Sequence, residues 1–229
     1  MSTISPSKKY LFRVLKNFLL IHKNKPIGID LASENFKNSI YFKTKKYIGV
    51  DLNKKEILFG LKYFKDKKRY GIHWDFTKKN ILGENFADVV VSTNTLSHIK
   101  SSKKKIDALN NFIQFTSSDG VIFLQTEIEK KVTNEIIKKI NSNFKKVKIK
   151  YYNNLLTKIY LSLFLGKLTN NKIAIFFNKI KLNYFLSLIE NITCYFKILN
   201  TKMIIIATEK KNFGKKKIKF KFKRINKFL

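Results

Sequence analysis

Short apolar runs alternate with amphipathic stretches along most of this chain, a pattern that predicts strands alternating with helices. The runs Ile27–Leu31 and Tyr47–Val50 carry a carboxylate near their ends, Asp30 in the first and Asp51 directly after the second. Fifteen residues separate the runs, which is enough for the crossover of a strand–helix–strand unit. Because ligands of an open parallel sheet lie beyond the carboxyl ends of its strands, we expect both carboxylates to face one crevice, where Asp51 binds a ribose diol.

The same signals predict five further strands and four helices in a single α/β domain, which suits a chain of 229 residues. The predicted strands are Gly71–Trp74, Ala87–Ser92, Val121–Thr126 (after a turn at Asp119-Gly120), Val147–Tyr152 and Met203–Thr208. The predicted helices begin at Ser5-Pro6, at Asn53, at Ser101-Ser102 and near Thr133.

The net charge of +33 indicates a polyanionic partner such as RNA or an anionic membrane face. However, only three of the 48 basic residues are arginine, Arg13, Arg69 and Arg224, whereas phosphate and base recognition favours the planar guanidinium. Lysine, asparagine, isoleucine and phenylalanine are abundant together, as drift in an A+T-rich genome produces. Two explanations therefore stay open, a solvated surface produced by drift and a selected, non-specific polyanion partner.

Cysteine and histidine are too few to form a disulfide or a metal centre. Cys194 is the single cysteine, and His22, His73 and His98 are the only histidines, so we expect no metal and a reducing compartment. The first predicted helix is too short and too charged for a membrane span or a signal-peptide core. We therefore expect a cytoplasmic protein. If its basic residues bind anionic lipid, it is peripheral at the inner membrane face.

Five segments, in this order and spacing, resemble the class I methyltransferases that use S-adenosylmethionine. They are IGIDLASENF, YIGVDLNKKEI, HWDF, FADVVVSTNTLSHI and DGVIFLQTE, and the resemblance runs from roughly Pro26 to Thr208. It implies a Rossmann-like three-layer α/β sandwich with a seven-stranded, mostly parallel sheet. It also implies an antiparallel last strand, a helical insertion between strands 6 and 7, and S-adenosylmethionine as cofactor.

The resemblance implies a cofactor site at the tips of the first four strands. Its candidate residues are Asp30, Ala32, Ser33, Glu34, Asp51, Leu52, Asp75, Phe76, Asn94, Thr95 and His98. Asp75 accepts from the exocyclic amine of adenine while Phe76 lines the ring, and the segment from Asn94 to His98 faces the transferred methyl.

Structural roles are open for the same residues: a turn cap before Thr77 for Asp75, core packing for Phe76, and a structural hydrogen bond for His98. No catalytic residue is assigned, because methyl transfer from a sulfonium depends mainly on alignment. His98 or Glu127 is available to deprotonate a hydroxyl acceptor.

The loop after the first strand departs from the family pattern. The family has a run of the type Gly-x-Gly-x-Gly there, and this chain has Ala32-Ser33-Glu34-Asn35-Phe36. Glycine allows positive φ and close approach of the backbone to a ligand. Its loss favours an alternative function, a methyltransferase-like scaffold or accessory subunit without cofactor. The leading interpretation remains methyl transfer from S-adenosylmethionine to an oxygen or nitrogen acceptor. Its second alternative is a basic protein that binds RNA or a membrane surface.

We expect one methyltransferase-like domain at residues 1–210, which contains a long insertion and is followed by a basic tail. An insertion at 153–201 leaves the sheet at the cofactor rim and is apolar with scattered lysines, so we expect a substrate lid; a satellite core or a dimer face is the other interpretation. A lid of this composition suits a lipid-linked or glycan acceptor. The tail at 211–229 has no acidic residue and alternates lysine with apolar residues, which indicates a mobile basic tail or an edge strand.

Overall fold

The computed structural model describes residues 5–65, 67–154, 157–159, 172, 176, 181–196 and 200–211. These residues belong to two compact units, one made of the chain up to Asn17 with Ile149–Ile204 and the other of Phe18–Lys148 with the chain from Ile205. The helices are α1 Pro6–Ile21, α2 Lys54–Tyr63, α3 Thr95–His98, α4 Ser102–Phe115, α5 Lys130–Asn143 and α6 Leu182–Thr193, with a 3₁₀ turn at Lys37–Ile40. The strands are β1 Ile27–Leu31, β2 Lys46–Asp51, β3 Arg69–His73, β4 Ala87–Ser92, β5 Thr116–Glu127, β6 Phe144–Asn154 and β7 Asn200–Lys210.

The described strands form one seven-stranded sheet in the order β3-β2-β1-β4-β5-β7-β6. Strands β1 to β5 pair in parallel, and the C-terminal strands are antiparallel. The predicted fold class, a mostly parallel Rossmann-like sheet, is confirmed. The strand order reverses between β1 and β4, and such a switch point opens a crevice at the carboxyl ends of these two strands.

Side-chain caps begin helices α2 and α4 where the sequence predicts them. The Asn53 side chain accepts from Lys55 N at 3.1 Å at the start of α2, and Ser101 Oγ accepts from Lys104 N at 3.4 Å at the start of α4. Each cap satisfies one backbone donor that the first helical turn leaves without a partner.

Strand β5 begins earlier than predicted. The sequence places a turn at Asp119-Gly120 before Val121, whereas the strand starts at Thr116. Its pairing with β4 shifts, because Ala87 pairs with Thr116 while Val89 pairs with Val121. Gly120 passes close to the neighbouring backbone, since a Cβ there would lie 2.8 Å from the Ala87 carbonyl oxygen. The Asp-Gly pair therefore forms an irregularity inside the strand and does not end it.

Some of the many lysines have structural roles. Lys105 is buried and pairs with Glu129. Lys210 Nζ donates to the carbonyl oxygens of Ile113 and Thr116, at 2.8 and 2.6 Å, near the end of α4. A lysine at this position satisfies carbonyl groups that the last helical turn leaves open and complements the helix dipole.

The predicted insertion at 153–201 is described only in part. Residues 157–159 and α6 are helical, in agreement with the prediction. The buried Glu190 carboxylate of α6 accepts from Asn153 N at 3.0 Å and from Thr157 Oγ1 at 2.7 Å. Its pKa is raised by burial and partly restored by these donors.

The proposed lid role and the domain boundaries stay predictions, and the basic tail beyond residue 211 lies outside the described residues. Within the described part of the chain, no helix has both the length and the apolar character needed to cross a bilayer.

Candidate functional site

The tips of β1, β2 and β4 lie level at one edge of the sheet. Leu31, the last residue of β1, pairs with Val50 of β2 and with Ser92 of β4. Asp51 follows Val50 and pairs with His73 of β3. The loops that leave these strands therefore converge on a single rim, as the sequence predicts for the candidate cofactor residues.

The loop after β1 keeps the backbone of a glycine loop without its glycines. Ala32, Glu34 and Phe36 have φ values of 60, 46 and 65°, in the left-handed region. They occupy alternate positions, the spacing of the glycines in the Gly-x-Gly-x-Gly run of the resembling family. A non-glycine residue costs about 1–2 kcal/mol in this conformation, so other interactions must hold the loop.

Asp51 supplies one of those interactions. Its Oδ2 accepts from the backbone nitrogen of Glu34 at 2.8 Å, and its Oδ1 accepts from the nitrogen of Asn53 at 2.8 Å. The carboxylate thus fixes the middle of the β1 loop and the start of α2 simultaneously. Each oxygen keeps a second lone pair, so these bonds leave acceptor capacity for a ribose hydroxyl.

Phe36 is the second anchor of the loop. Its ring is fully buried and fills a slot over two glycines of neighbouring elements. A Cβ on Gly49 of β2 would lie 2.3 Å from Phe36 Cε1, and one on Gly60 of α2 would lie 2.8 Å from Phe36 Cγ. Burial of an aromatic ring contributes more than the roughly 1–2 kcal/mol cost of its positive φ.

Asp30 is fully buried at the end of β1. Tyr47 donates its hydroxyl to Asp30 Oδ2 at 3.0 Å, and Asn38 Nδ2 lies 3.5 Å from Oδ1. Burial raises the pKa of Asp30 to about 7, with smaller upward contributions from Asp51 and Glu34, while the two donors lower it. The group is therefore poised between its neutral and ionised forms near neutral pH.

At the tip of β3, the structure favours the structural interpretation of both predicted adenine contacts. Asp75 Oδ1 accepts from the backbone nitrogen of Thr77 at 3.0 Å and from its hydroxyl at 2.8 Å, which makes Asp75 a turn cap. Phe76 is buried, with its ring 5.6 Å from that of Phe112. Leu52, which follows Asp51 of β2, is an apolar residue that is 65% exposed. A role beside adenine stays a prediction for Asp75 and Phe76.

The segment after β4 is held by its neighbours. Asn94, with φ 57°, donates its backbone nitrogen to the buried Gln125 Oε1 at 2.6 Å. Thr95 is buried, and its hydroxyl donates to the Leu31 carbonyl at 3.1 Å, which joins the tips of β4 and β1. His98 ends the short helix α3 and is exposed. Of the three candidates, Thr95 is therefore a structural link, whereas Asn94 is only half-buried.

Asn38, Tyr47 and Gln125 are site residues that the sequence analysis missed. Tyr47 and Asn38 donate to Asp30, Asn38 Nδ2 also reaches Thr93 Oγ1 at 3.3 Å, and Gln125 positions Asn94. Only Gln125 gave a signal, since a polar amide interrupts the apolar run of β5. In the described residues, no group of three or more histidine, cysteine, aspartate or glutamate side chains is arranged to hold a metal ion.

Comparison with solved structures identifies the fold. The N-methyltransferase NodS from Bradyrhizobium japonicum, in complex with S-adenosyl-L-homocysteine, matches with a TM-score of 0.55 at 11% identity, over 63% of this chain and 79% of NodS. The complex between the Haloferax volcanii Trm112 methyltransferase activator and a methyltransferase gives a TM-score of 0.57 at 9% identity, over 87% of this chain and 89% of the other. The cyclase SpnF gives 0.54 at 6% identity, over 87% and 81%.

No protein-family model matches the sequence, and no curated protein is similar to it in sequence. At these identities the structural matches establish the fold and not the reaction, and a cyclase among them shows that one fold supports different chemistry. The expectation from the sequence segments is confirmed at this level. The chain has the fold of the class I S-adenosylmethionine-dependent methyltransferases.

Proposed function

We propose that this protein binds S-adenosylmethionine at the carboxyl ends of β1, β2 and β4 and transfers its methyl group to an oxygen or nitrogen acceptor. The observation that carries the proposal is the loop after β1. Ala32, Glu34 and Phe36 hold positive φ at alternate positions, and Asp51 and the buried Phe36 ring keep that strained backbone in place. Strain of this kind persists where the surrounding structure maintains it, and functional sites are its commonest location.

The side chains of the loop leave its ligand-facing backbone accessible. The Ala32 side chain is one methyl, the Glu34 side chain is exposed and pairs with Lys37, and the Phe36 ring points into the core. The loop therefore needs no glycine to avoid a Cβ clash with a small ligand. S-adenosylmethionine has no phosphate, so the loop also needs no phosphate cradle.

The electrostatics of the rim suit a cationic ligand. Asp30 and Glu34 lie before and after Leu31, the last residue of β1, and Asp51 is the last residue of β2. Burial raises the pKa of Asp30, and repulsion from Asp51 and Glu34 raises it further. The sulfonium and ammonium groups of S-adenosylmethionine offset that repulsion when the cofactor is bound. NodS, which has the same fold, binds S-adenosyl-L-homocysteine.

The chemistry that the bound cofactor supplies is an already activated methyl group on a sulfonium. The protein then has to align an acceptor with that methyl and exclude water. Asn94, fixed by Gln125, and the exposed His98 are the side chains we propose for the acceptor side, with His98 removing the proton of a hydroxyl acceptor. For the 153–201 insertion we keep the proposal of a lid that selects an amphiphilic acceptor, such as a lipid-linked or glycan intermediate.

Isothermal titration of the purified protein with S-adenosylhomocysteine tests the proposal. We expect a dissociation constant in the micromolar range and a rise in melting temperature with ligand, because binding to the folded state alone stabilises it. Absence of both heat and thermal shift at millimolar ligand would refute cofactor binding.

That negative result would favour the second candidate function, a methyltransferase-like scaffold without cofactor. The observation in its favour is that both Asp51 oxygens already accept backbone hydrogen bonds, so the loop is stable without a ligand. If the scaffold interpretation holds, Glu34→Gly should change the melting temperature without creating any affinity for S-adenosylhomocysteine.

A further inference from the structure

Helix α2 presents two aromatic side chains to solvent. Phe59 and Tyr63 are 56% and 71% exposed, and they lie one helical turn apart. Their rings are nearly parallel, with 13° between the planes and 6.2 Å between the centroids. Large exposed aromatic groups that lie together are uncommon on a solvated surface and mark binding sites.

The aromatic pair does not contribute to the core of the fold. The residues of α2 that are buried against the sheet are Ile57 and Gly60. Phe59 and Tyr63 lie outside that buried face and are exposed, so packing on the sheet does not explain their presence.

Exposed lysines flank the pair along the chain. They are Lys55 and Lys62 on the helix and Lys65 and Lys67 in the segment that leads to β3. The sequence from position 54 to 69 holds two acidic residues, Glu56 and Asp66, against six lysines and one arginine. Glu56 is only half-exposed. We call the set of Lys55, Phe59, Lys62, Tyr63, Lys65 and Lys67 the α2 surface.

The mixing of charge and rings on the α2 surface decides between classes of partner. At 100° per residue, Lys55 and Lys62 lie on the arc between Leu58 and the aromatic pair, so apolar and basic groups are interleaved. A helix that lies in a membrane interface separates its apolar face from its basic face. The core of a protein interface is depleted of lysine. Basic groups interleaved with exposed aromatic rings fit single-stranded nucleic acid, which offers phosphates and base faces in alternation.

We propose that the α2 surface binds single-stranded RNA or DNA, with the lysines contacting phosphates and Phe59 and Tyr63 stacking on bases. The binding is independent of sequence, because a lysine ammonium acts as a point charge and a ring stacks on any base. This site also assigns a binding role to part of the positive charge of the chain. It does not depend on cofactor binding, since none of its residues belongs to the candidate cofactor site.

Fluorescence anisotropy with a labelled oligouridine of about twelve nucleotides, a length that spans such a site, tests the proposal on the full chain. For Phe59→Leu/Tyr63→Leu we expect affinity to fall about ten- to hundred-fold at every salt concentration, because stacking is lost while the lysines remain. For Lys55→Gln/Lys62→Gln we expect the slope of log affinity against log salt to become shallower by about 1.4, the value for two lost phosphate contacts on a single strand.

The matched control is Tyr195→Leu/Phe196→Leu, a pair of adjacent aromatic residues with similar exposure, 68% and 57%. It should bind the oligonucleotide as the unmodified chain does. The assignment of the site would be overturned if Phe59→Leu/Tyr63→Leu lost no more affinity than the control variant does. A loss of affinity below about two-fold in Phe59→Leu/Tyr63→Leu would also overturn it. Failure of the unmodified chain to bind oligouridine at low salt would overturn it as well.

Sedimentation with vesicles of phosphatidylserine and phosphatidylcholine distinguishes a membrane from a nucleic acid. Leucine inserts into a lipid interface as well as phenylalanine does, so the leucine variant should keep any vesicle binding. The proposal would be refuted, and the surface assigned to lipid, by two results together. Vesicle binding would fall in Phe59→Ala/Tyr63→Ala but not in the leucine variant, and oligonucleotide binding would be unchanged in both variants.

Discussion

The Oδ2 atom of Asp51 accepts a 2.8 Å hydrogen bond from the backbone nitrogen of Glu34. One carboxylate at the tip of β2 therefore holds the centre of the β1 loop, whose backbone has the φ pattern of a glycine-rich loop. The two residues are 17 positions apart, and the bond closes the crossover between β1 and β2 at the rim of the candidate cofactor site.

Asp51→Ala should weaken binding of S-adenosylhomocysteine ten- to hundred-fold. The variant loses charge-assisted hydrogen bonds to a ribose, and their loss costs about 1.5–3 kcal/mol of binding free energy. It also loses the bond that holds Glu34 N. Calorimetry measures the change. The control is Asp119→Ala, an exposed aspartate in the first half of β5, which should leave the affinity unchanged. An unchanged affinity in Asp51→Ala would remove Asp51 from the site.

Glu34→Gly should stabilise the protein by about 1 kcal/mol, since glycine adopts the φ of 46° without steric cost. Chemical denaturation measures the free energy of unfolding. Glu34→Ala removes the charge but keeps the strain and should not give the same gain. Asn35→Gly lies outside the positive-φ positions and should destabilise, because glycine there only adds entropy to the unfolded chain. A destabilised Glu34→Gly would show that the loop is not strained.

Gly60→Ala should destabilise the protein by about 1–3 kcal/mol, although alanine is the better helix former. The new methyl would lie 2.8 Å from Phe36 Cγ and 3.1 Å from the Asn35 carbonyl carbon. Thermal denaturation of Gly60→Ala, Phe36→Leu and the double variant tests the cause. If the ring is responsible, the double variant should be more stable than the sum of the single effects, with a coupling of about 0.5–3 kcal/mol. Lys54→Ala, at the exposed start of α2, serves as a helix-propensity control.

Asp30→Asn should change how stability depends on pH. The folded-state pKa of Asp30 is raised to about 7 from 3.8, so the folded state binds more protons than the unfolded state between these values. Stability from this group is therefore fully present below pH 3.8 and is lost as the pH rises through 7. The lost amount is on the order of 4 kcal/mol. Relative to the unmodified chain, Asp30→Asn should gain stability steadily from acidic to neutral pH, as measured by denaturant midpoints. Parallel curves for the two proteins would show that Asp30 is ionised throughout.

The sequence predicted strands β1, β2 and β4 with near-correct limits because each is a short apolar run with a clear end. It predicted the starts of α2 and α4 because Asn53 and Ser101 are local caps whose partners are two and three residues away. It misplaced the start of β5, since Asp119-Gly120 is a strong local turn signal that pairing with β4 overrides.

The candidate site was only partly predictable, because some of its contacts join residues that are distant in sequence. The acidic strand tips are local features, and Asp30 and Asp51 stand where the sequence places them. The donors to Asp30 come from Tyr47 and Asn38, which are 17 and 8 positions away and gave no signal of their own.

The sequence alone indicates the succession of strands and helices, the carboxylates at the strand tips and the absence of glycine from the first loop. The folded arrangement is needed to show that this loop still adopts the backbone that glycine would allow. Its conformation depends on groups outside the loop: the Asp51 carboxylate on β2, and the space above Gly49 and Gly60 that the Phe36 ring fills. Local propensity disfavours positive φ at Ala32, Glu34 and Phe36, and contacts between residues distant in sequence outweigh it.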